Sequence, residues 1–192
     1  SIILSTTATT TATTATPFVA HAEENNLNES QSPLFERIQK DFSYDIRLPP
    51  NFQSTNKPLK THLDEINFTL EGTRGYQYGI TVDPIRIRSL RDFGTPEEVA
   101  AKIVMAEVNR DGVFEVKLAN DPTEDPTTGA YNIDYVSDGK RGKKHFVTRT
   151  LVKDGKLFVL TAQCKEEEYY SVDGGGDREM EIGSCVDSFR VR

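Results

Sequence analysis

At 192 residues the chain is long enough for one substantial hydrophobic core but short for two, so the length favours one domain with a tail. Hydrophobic residues make up 36% and charged residues 28%, with a formal net charge of -7; this acidic balance disfavours nucleic acid, whose phosphates are bound by clustered Lys and Arg. No run of residues reaches the roughly 18 to 20 apolar positions that a membrane span needs.

The first 22 residues form a Thr/Ala-rich segment, and the first charged side chain is Glu23. Ala20 and Ala22 have the small-x-small spacing that precedes signal-peptidase cleavage, which suggests the remnant of an export signal; the alternative is a Thr-rich linker. We predict that residues 1–40 are this targeting remnant followed by a flexible N-terminal arm. Residues 41–192 are predicted to form the folded domain.

The first predicted elements are a short helical turn at residues 34–38 and a strand at 42–48. In the strand, apolar and polar residues alternate with the period of a half-buried strand, and Pro49-Pro50 ends it. The same alternation at residues 66–70 and 76–82, around a Gly-containing turn, predicts an antiparallel pair.

The clearest predicted helix covers residues 95–108. Thr95 is suited to cap its first free amides, Pro96 suits the first helical position, and Glu98 completes a capping box. The predicted apolar stripe consists of Val99, Ile103 and Ala106.

Further strands are predicted at residues 113–118 and 130–136, followed by a hairpin. Its two strands, 145–152 and 156–163, flank Asp154-Gly155, a strong signal for a tight turn. A final amphipathic helix carries Ile182, Cys185, Val186 and Phe189 at helical spacing, after a glycine run at 174–176. Many strands with two strong helices indicate an α+β fold, an antiparallel sheet with its faces covered by helices.

Sequence motifs for catalysis are missing: there is no GxSxG, HExxH, P-loop or GxGxxG pattern, so we do not predict an enzyme. A metal-dependent hydrolase using His145 and the acidic run 166–168 is the competing hypothesis from another class, but it lacks a second imidazole or a defined general base.

The hairpin register predicts that His145 and Glu166 converge at one edge of the sheet. A histidine with one or two carboxylates suits Zn²⁺ or Mn²⁺, and the acidic run suits Ca²⁺ or Mn²⁺. The alternatives are an ordinary edge-strand histidine and a solvated acidic rim.

Two further features allow two interpretations each. Cys164 and Cys185 could form one disulfide between sheet and helix, closing a loop of about 20 residues, or could be buried free thiols. The basic cluster could dock on an acidic partner or could only keep a hairpin tip in water; it comprises Lys140, Arg141, Lys143 and Lys144.

Several segments in order resemble the PsbP family of thylakoid-lumen proteins. They run from strand 42–48 with Pro49-Pro50-Asn51-Phe52, through residues 89–99, Tyr131 and Tyr135, to His145, residues 152–158, Ala162-Gln163 and Ser188-Phe189. The resemblance spans residues 41–191.

The resemblance implies an αβα sandwich around a central antiparallel sheet, without catalysis or an obligatory cofactor. It further implies a chloroplast protein of the thylakoid lumen, peripheral to the lumenal face of the membrane, that acts as an extrinsic subunit of the photosystem II oxygen-evolving complex and supports Ca²⁺ and Cl⁻ retention. The alternative is a lumenal assembly or accessory factor for photosystem II, photosystem I or the NAD(P)H dehydrogenase-like complex. The family resemblance also places His145 and Glu166 at positions associated with metal binding in some members.

Overall fold

A computed structural model describes residues 32–56, 61–170 and 178–192 of the chain. The predicted export remnant and the glycine run lie outside the described residues. The strands are β1 (Leu34–Ile38), β2 (Ser43–Arg47), β3 (Phe52–Asn56), β4 (Asp64–Leu70), β5 (Gln77–Pro84), β6 (Val113–Leu118), β7 (Thr123–Glu124), β8 (Tyr131–Gly139), β9 (Lys144–Lys153), β10 (Lys156–Lys165) and β11 (Arg190–Val191). The helices are α1 (Pro96–Val108), α2 (Glu166–Tyr169) and α3 (Arg178–Ser188).

Most strands form one antiparallel sheet in the order β3-β4-β5-β10-β9-β8-β6, with β7 attached to β8. The predicted hairpin is confirmed as β9 and β10, whose register pairs Lys153 with Lys156 and His145 with Cys164. Asp154 and Gly155 both have positive φ, 49° and 69°, as a two-residue turn between twisted strands requires. This hairpin occupies the centre of the sheet and sets the register of the neighbouring strands.

The prediction of a helical turn at residues 34–38 is wrong. This segment is β1, which pairs antiparallel with β2 from Leu34 opposite Arg47 to Ile38 opposite Ser43. Phe35 projects from it onto Phe68 of β4, with ring centroids 4.8 Å apart. Pairing with a strand that lies later in the sequence outweighs any local helical preference, so the end of the segment assigned to the arm is part of the folded unit.

One face of the large sheet is covered by α3 and by the small sheet β1-β2-β11. Its core is rich in aromatic residues, and Phe158 of β10 lies against Phe42 and Tyr44 at centroid distances of 6.0 Å and 6.4 Å. The largest fully buried side chains on this face include Tyr44, Tyr76, Tyr78, Phe68, Phe158 and Phe189.

The opposite face carries a smaller core under α1. Its buried residues are Leu90, Val99, Ala100, Tyr131, Ile133, Tyr135 and Phe146. The capping box predicted for α1 is confirmed, because the Thr95 side chain accepts from the Glu98 amide and the Glu98 carboxylate accepts from the Thr95 amide at 2.9 Å. The predicted stripe is only partly correct: Val99 is buried and Ile103 half-buried, whereas Ala106 is exposed.

The fold is therefore α+β with a central antiparallel sheet, as predicted. The αβα description holds only in part, since one outer layer combines α3 with a three-stranded sheet and the other contains α1 alone over part of the face. Among the described residues, none of the helices is long and apolar enough to cross a membrane.

Candidate functional site

His145 lies at the start of β9, where the hairpin places it directly beside Cys164 near the end of β10. Because α2 begins two residues after Cys164, the chain turns back over the imidazole and brings Glu166 to it. The predicted convergence of His145 and Glu166 is thus present: the Nδ1 atom of His145 lies 2.8 Å from an oxygen of Glu166.

A second carboxylate completes the cluster, and sequence reasoning missed it. Asp134 of β8 lies 2.5 Å from the Nε2 atom of His145, on the other side of the ring. Its remaining oxygen accepts a hydrogen bond from the Asn120 side chain at 2.6 Å. The signal in the sequence is weak: Asp134 is an acidic residue in an otherwise uncharged strand run, Tyr131 to Val136, and its proximity to His145 depends on β8 lying next to β9.

Aromatic rings shield the imidazole of this cluster from solvent. Tyr169 of α2 stacks on the imidazole of His145, with centroids 3.5 Å apart and planes 9° from parallel, and Tyr170 approaches edge-on at 5.6 Å. The side chain of His145 has no exposed surface, although Asp134 and Glu166 remain 15% and 27% exposed. The carboxylates contact water while the imidazole does not.

The two carboxylates determine the charge of the imidazole. Burial disfavours the charged ring and by itself lowers the pKa of His145, but hydrogen bonds and charge attraction from Asp134 and then Glu166 outweigh it. The pKa of His145 is therefore raised above its usual value. With both ring nitrogens facing carboxylate oxygens, the doubly protonated imidazolium is the form that satisfies both hydrogen bonds.

The same arrangement bears on the predicted metal site. Carboxylate and imidazole are suitable ligands for Zn²⁺ or Mn²⁺, but a metal needs a deprotonated ring nitrogen, and both nitrogens of His145 already face a carboxylate. Within the described parts of the chain, no group of three or more His, Cys, Asp or Glu residues is arranged to hold a metal ion. The donor chemistry suits a metal, and a metal at His145 would have to displace a carboxylate from one ring nitrogen. Metal binding at His145 and Glu166 stays a prediction.

The rest of the acidic run pairs with a neighbouring cation. Lys165 lies 3.0 Å from Glu168 and 3.7 Å from Glu167, so its ammonium group, and not an open cation site, lies between these two carboxylates. This arrangement is closer to the solvated-rim alternative than to a Ca²⁺ site, which needs six or more oxygen ligands around one ion.

The predicted docking cluster lies at the tip between β8 and β9. Lys140 and Lys143 have loose ion pairs, at 3.6 Å to Asp111 and 3.8 Å to Asp138. Arg141 and Lys144 form no ion pair with any residue that the structure describes. The tip is also one wall of a polar cavity of about 340 Å³, whose lining includes Glu107, Arg110, Ser137, Arg141 and Lys144.

The base of this tip is held tightly by two glycines. A Cβ atom on Gly139 would lie 2.5 Å from the carbonyl oxygen of Gly112, so only glycine allows this approach. The same carbonyl accepts a hydrogen bond from the Lys140 amide at 2.8 Å. The basic side chains therefore project from a turn whose base is fixed against the loop after α1.

The two cysteines are free and buried in the structure, and the disulfide between them stays a prediction. Burial is the main reason that the pKa of Cys164 rises to about 12 and that of Cys185 to about 11. At neutral pH both therefore remain thiols and pack as small apolar groups in the core under α3.

Comparison with known proteins covers the same part of the chain as the resemblance found in the sequence. A model of the PsbP family matches residues 36–191. The chain belongs to the PsbP family. This confirms the resemblance found in the sequence and extends it back into β1.

Relatives of known description agree with the assignment. PsbP domain-containing protein 2, chloroplastic, of Arabidopsis thaliana is 28% identical over 106 residues, which cover 54% of this chain and 45% of that protein. The chain thus spans less than half the length of this curated relative. The solution structure of cyanobacterial PsbP (CyanoP) from Synechocystis sp. PCC 6803 superposes with a TM-score of 0.64 at 14% identity, covering 87% of this chain and 96% of that one. At this identity the likeness shows the PsbP fold.

Proposed function

We propose that this PsbP-family chain is a non-catalytic protein of the thylakoid lumen that docks on the lumenal face of photosystem II as an extrinsic subunit of the oxygen-evolving complex. In this role it supports Ca²⁺ and Cl⁻ retention and thereby water oxidation. Membership of the family supports the proposal, and so does the chloroplast description of the Arabidopsis relative.

The observation that carries the docking role is the basic tip. Arg141 and Lys144 project without ion-pair partners in the described structure, although the chain has a net charge of -7 and surplus carboxylates. Arg141 is exposed and Lys144 is half-buried. Unpaired cations at one fixed position are suited to steer the protein to an acidic surface and to orient it there.

The shape of the histidine cluster supports a role without catalysis. Its imidazole is enclosed by Tyr169 and has both nitrogens engaged by carboxylates, so it has no free position for a substrate. The buried imidazolium and its two partly exposed carboxylates instead join β8, β9 and α2 into one unit.

Fractionation of detergent-solubilised thylakoids tests the assignment. An extrinsic subunit should comigrate with photosystem II at near-equal stoichiometry to the core subunits and be released by a salt wash. Comigration with photosystem I alone would contradict it.

The docking surface has its own test. We expect the double variant Arg141→Gln/Lys144→Gln to lose rebinding to salt-washed photosystem II membranes. A control with the same charge change, Lys40→Gln/Arg74→Gln, removes two exposed cations elsewhere on the domain and should rebind like the wild type. Equal loss in both variants would mean that net charge, and not the tip, determines binding.

The second candidate function is a lumenal assembly or accessory factor for photosystem II, photosystem I or the NAD(P)H dehydrogenase-like complex. It is favoured by the match to a PsbP domain-containing protein. Such a factor should be present in trace amounts relative to any core subunit, and its loss should deplete a complex without weakening ion retention in the complexes that remain.

Binding of a metal ion at the protein surface is a further part of the proposal. Ca²⁺, Mn²⁺ or Zn²⁺ binding that depends on Glu166 should be detectable by isothermal titration calorimetry, with Glu166→Gln as the comparison. The enclosed imidazole leads us to expect weak binding at acidic pH, where His145 is protonated, and stronger binding as the pH rises.

A further inference from the structure

The strand β6 forms one edge of the large sheet, and β8 is its only strand neighbour in the part of the chain that the structure describes. The Ala119 amide donates to the Asp134 carbonyl at 2.9 Å, continuing the β6–β8 ladder. Along an antiparallel strand, the backbone N–H and C=O groups of successive residues point alternately to one side and the other. Lys117 and Glu115 therefore also turn their backbone groups toward β8. Val116 and Leu118 therefore direct their N–H and C=O groups away from the sheet.

Large apolar side chains are also exposed on and beside this edge strand. Phe114 is 68% exposed and Leu118 is 43% exposed. The helix α1 packs on β6 and adds two further exposed apolar side chains, Met105 and Val108. An open edge with large apolar side chains is a surface for pairing with another strand.

The sequence of β6 limits which strand fits. Glu115 and Lys117 lie 2.9 Å apart on one side of the strand, both more than half exposed. The Lys117 side chain and the irregularity between Val113 and Glu115 are features that deter unspecific pairing at sheet edges. A strand that pairs here must therefore satisfy one positive and one negative charge two residues apart.

A second copy of β6 meets these requirements in a single register. We propose that two copies of this protein pair through β6 in antiparallel orientation, with Val116 of one copy opposite Val116 of the other, to form a twofold-symmetric dimer. In that register Glu115 of each copy lies opposite Lys117 of the other, and Phe114 lies opposite Leu118. The outward backbone groups of Val116 then bond reciprocally across the symmetry axis.

Neighbouring registers are disfavoured by the same residues. A shift by one position would set the outward groups of one strand against the inward groups of the other. A shift by two positions, which keeps the direction of the backbone groups, places either Glu115 opposite Glu115 or Lys117 opposite Lys117, and like charges directly opposite each other destabilise a strand pair. The register is therefore specified by charge and by backbone direction together.

Charge reversal tests this proposal on the full chain by sedimentation equilibrium at about 0.15 M salt, where the net charge of the two copies is largely screened. The wild type should show a concentration-dependent mass that approaches two chains. The single variants Lys117→Glu and Glu115→Lys each set like charges together twice, so dimer dissociation constants should rise about tenfold or more. Lys40→Glu, an exposed change elsewhere, should leave association unchanged.

Complementation then separates pairing of β6 from a loss of folding. An equimolar mixture of the Lys117→Glu and Glu115→Lys chains should form a heterodimer, since one chain offers two carboxylates and the other two ammonium groups. The double variant Glu115→Lys/Lys117→Glu should again form a homodimer. A wild type that stays monomeric up to millimolar concentration, or a dimer that neither single variant weakens, would overturn the proposal.

Discussion

The two faces of the large sheet are made by the same strands but differ in how fully they are covered. On the α3 side, a helix and a second sheet enclose an aromatic core, and Phe158 is 1% exposed. On the α1 side, one helix covers part of the face, and the next residue of the same strand, Val159, lines an open apolar groove of about 270 Å³. Most of the buried apolar side chains therefore lie on the α3 side, while the α1 side keeps apolar surface available.

The largest expected effect is on the α3 side. Phe158→Ala removes a ring that packs against Phe42 and Tyr44, so the free energy of unfolding should fall by about 3–5 kcal/mol. Val159→Ala, on the other face of the same strand, should cost about 1 kcal/mol because the side chain is already partly in contact with water. Urea denaturation of both variants measures the difference; equal costs would mean that the faces contribute alike.

The next effect contrasts two histidine–carboxylate pairs. Asp134→Asn removes one charge that stabilises the enclosed imidazolium of His145. In mild acid it should lower the free energy of unfolding by about 2–3 kcal/mol. Asp83→Asn disrupts a similar pair with His62, in which both side chains are about a quarter exposed (26% and 28%), and should cost less than about 1 kcal/mol.

The pH dependence of the first variant follows from the raised pKa of His145. Because that pKa is higher in the folded state, the stabilisation is fully present below the pKa of about 6.5 for an unfolded histidine, and it is lost as the pH rises through the folded value. The difference in free energy of unfolding between wild type and Asp134→Asn should therefore be greatest in mild acid and should shrink at alkaline pH. A difference that grows with pH would contradict the imidazolium assignment.

The smallest expected effect concerns the cap of α1. Thr95→Ala removes one half of the capping box and should cost about 1 kcal/mol, whereas Thr95→Ser keeps the hydroxyl and should cost little. Thermal unfolding measures both. If Thr95→Ala also exposes the groove residues to apolar dyes, α1 acts as the cover of this face; unchanged dye binding would restrict the effect to the helix end.

Local chemistry made some of these features predictable. Asp154-Gly155 and the Thr95 capping box depend on residues within a few positions of one another, and both were predicted correctly. Asp134 was missed because its contact with His145 depends on which strands are neighbours, and β1 was missed because its pairing depends on β2 and the small sheet. Convergence of His145 with Glu166 was predictable, since one hairpin register determines it.

The close contact between Gly139 and Gly112 has a practical consequence for spectroscopy. Because that contact anchors the base of the turn, a spin label or fluorophore at Lys143, which the docking test leaves unchanged, would sit on a short, fixed support at an exposed position. Distances measured from such a probe to a labelled membrane complex would reflect the position of the whole domain, with little broadening from movement of the turn itself. The two glycines thus make the basic tip a suitable reference point for locating this protein on the membrane complex that we propose it binds.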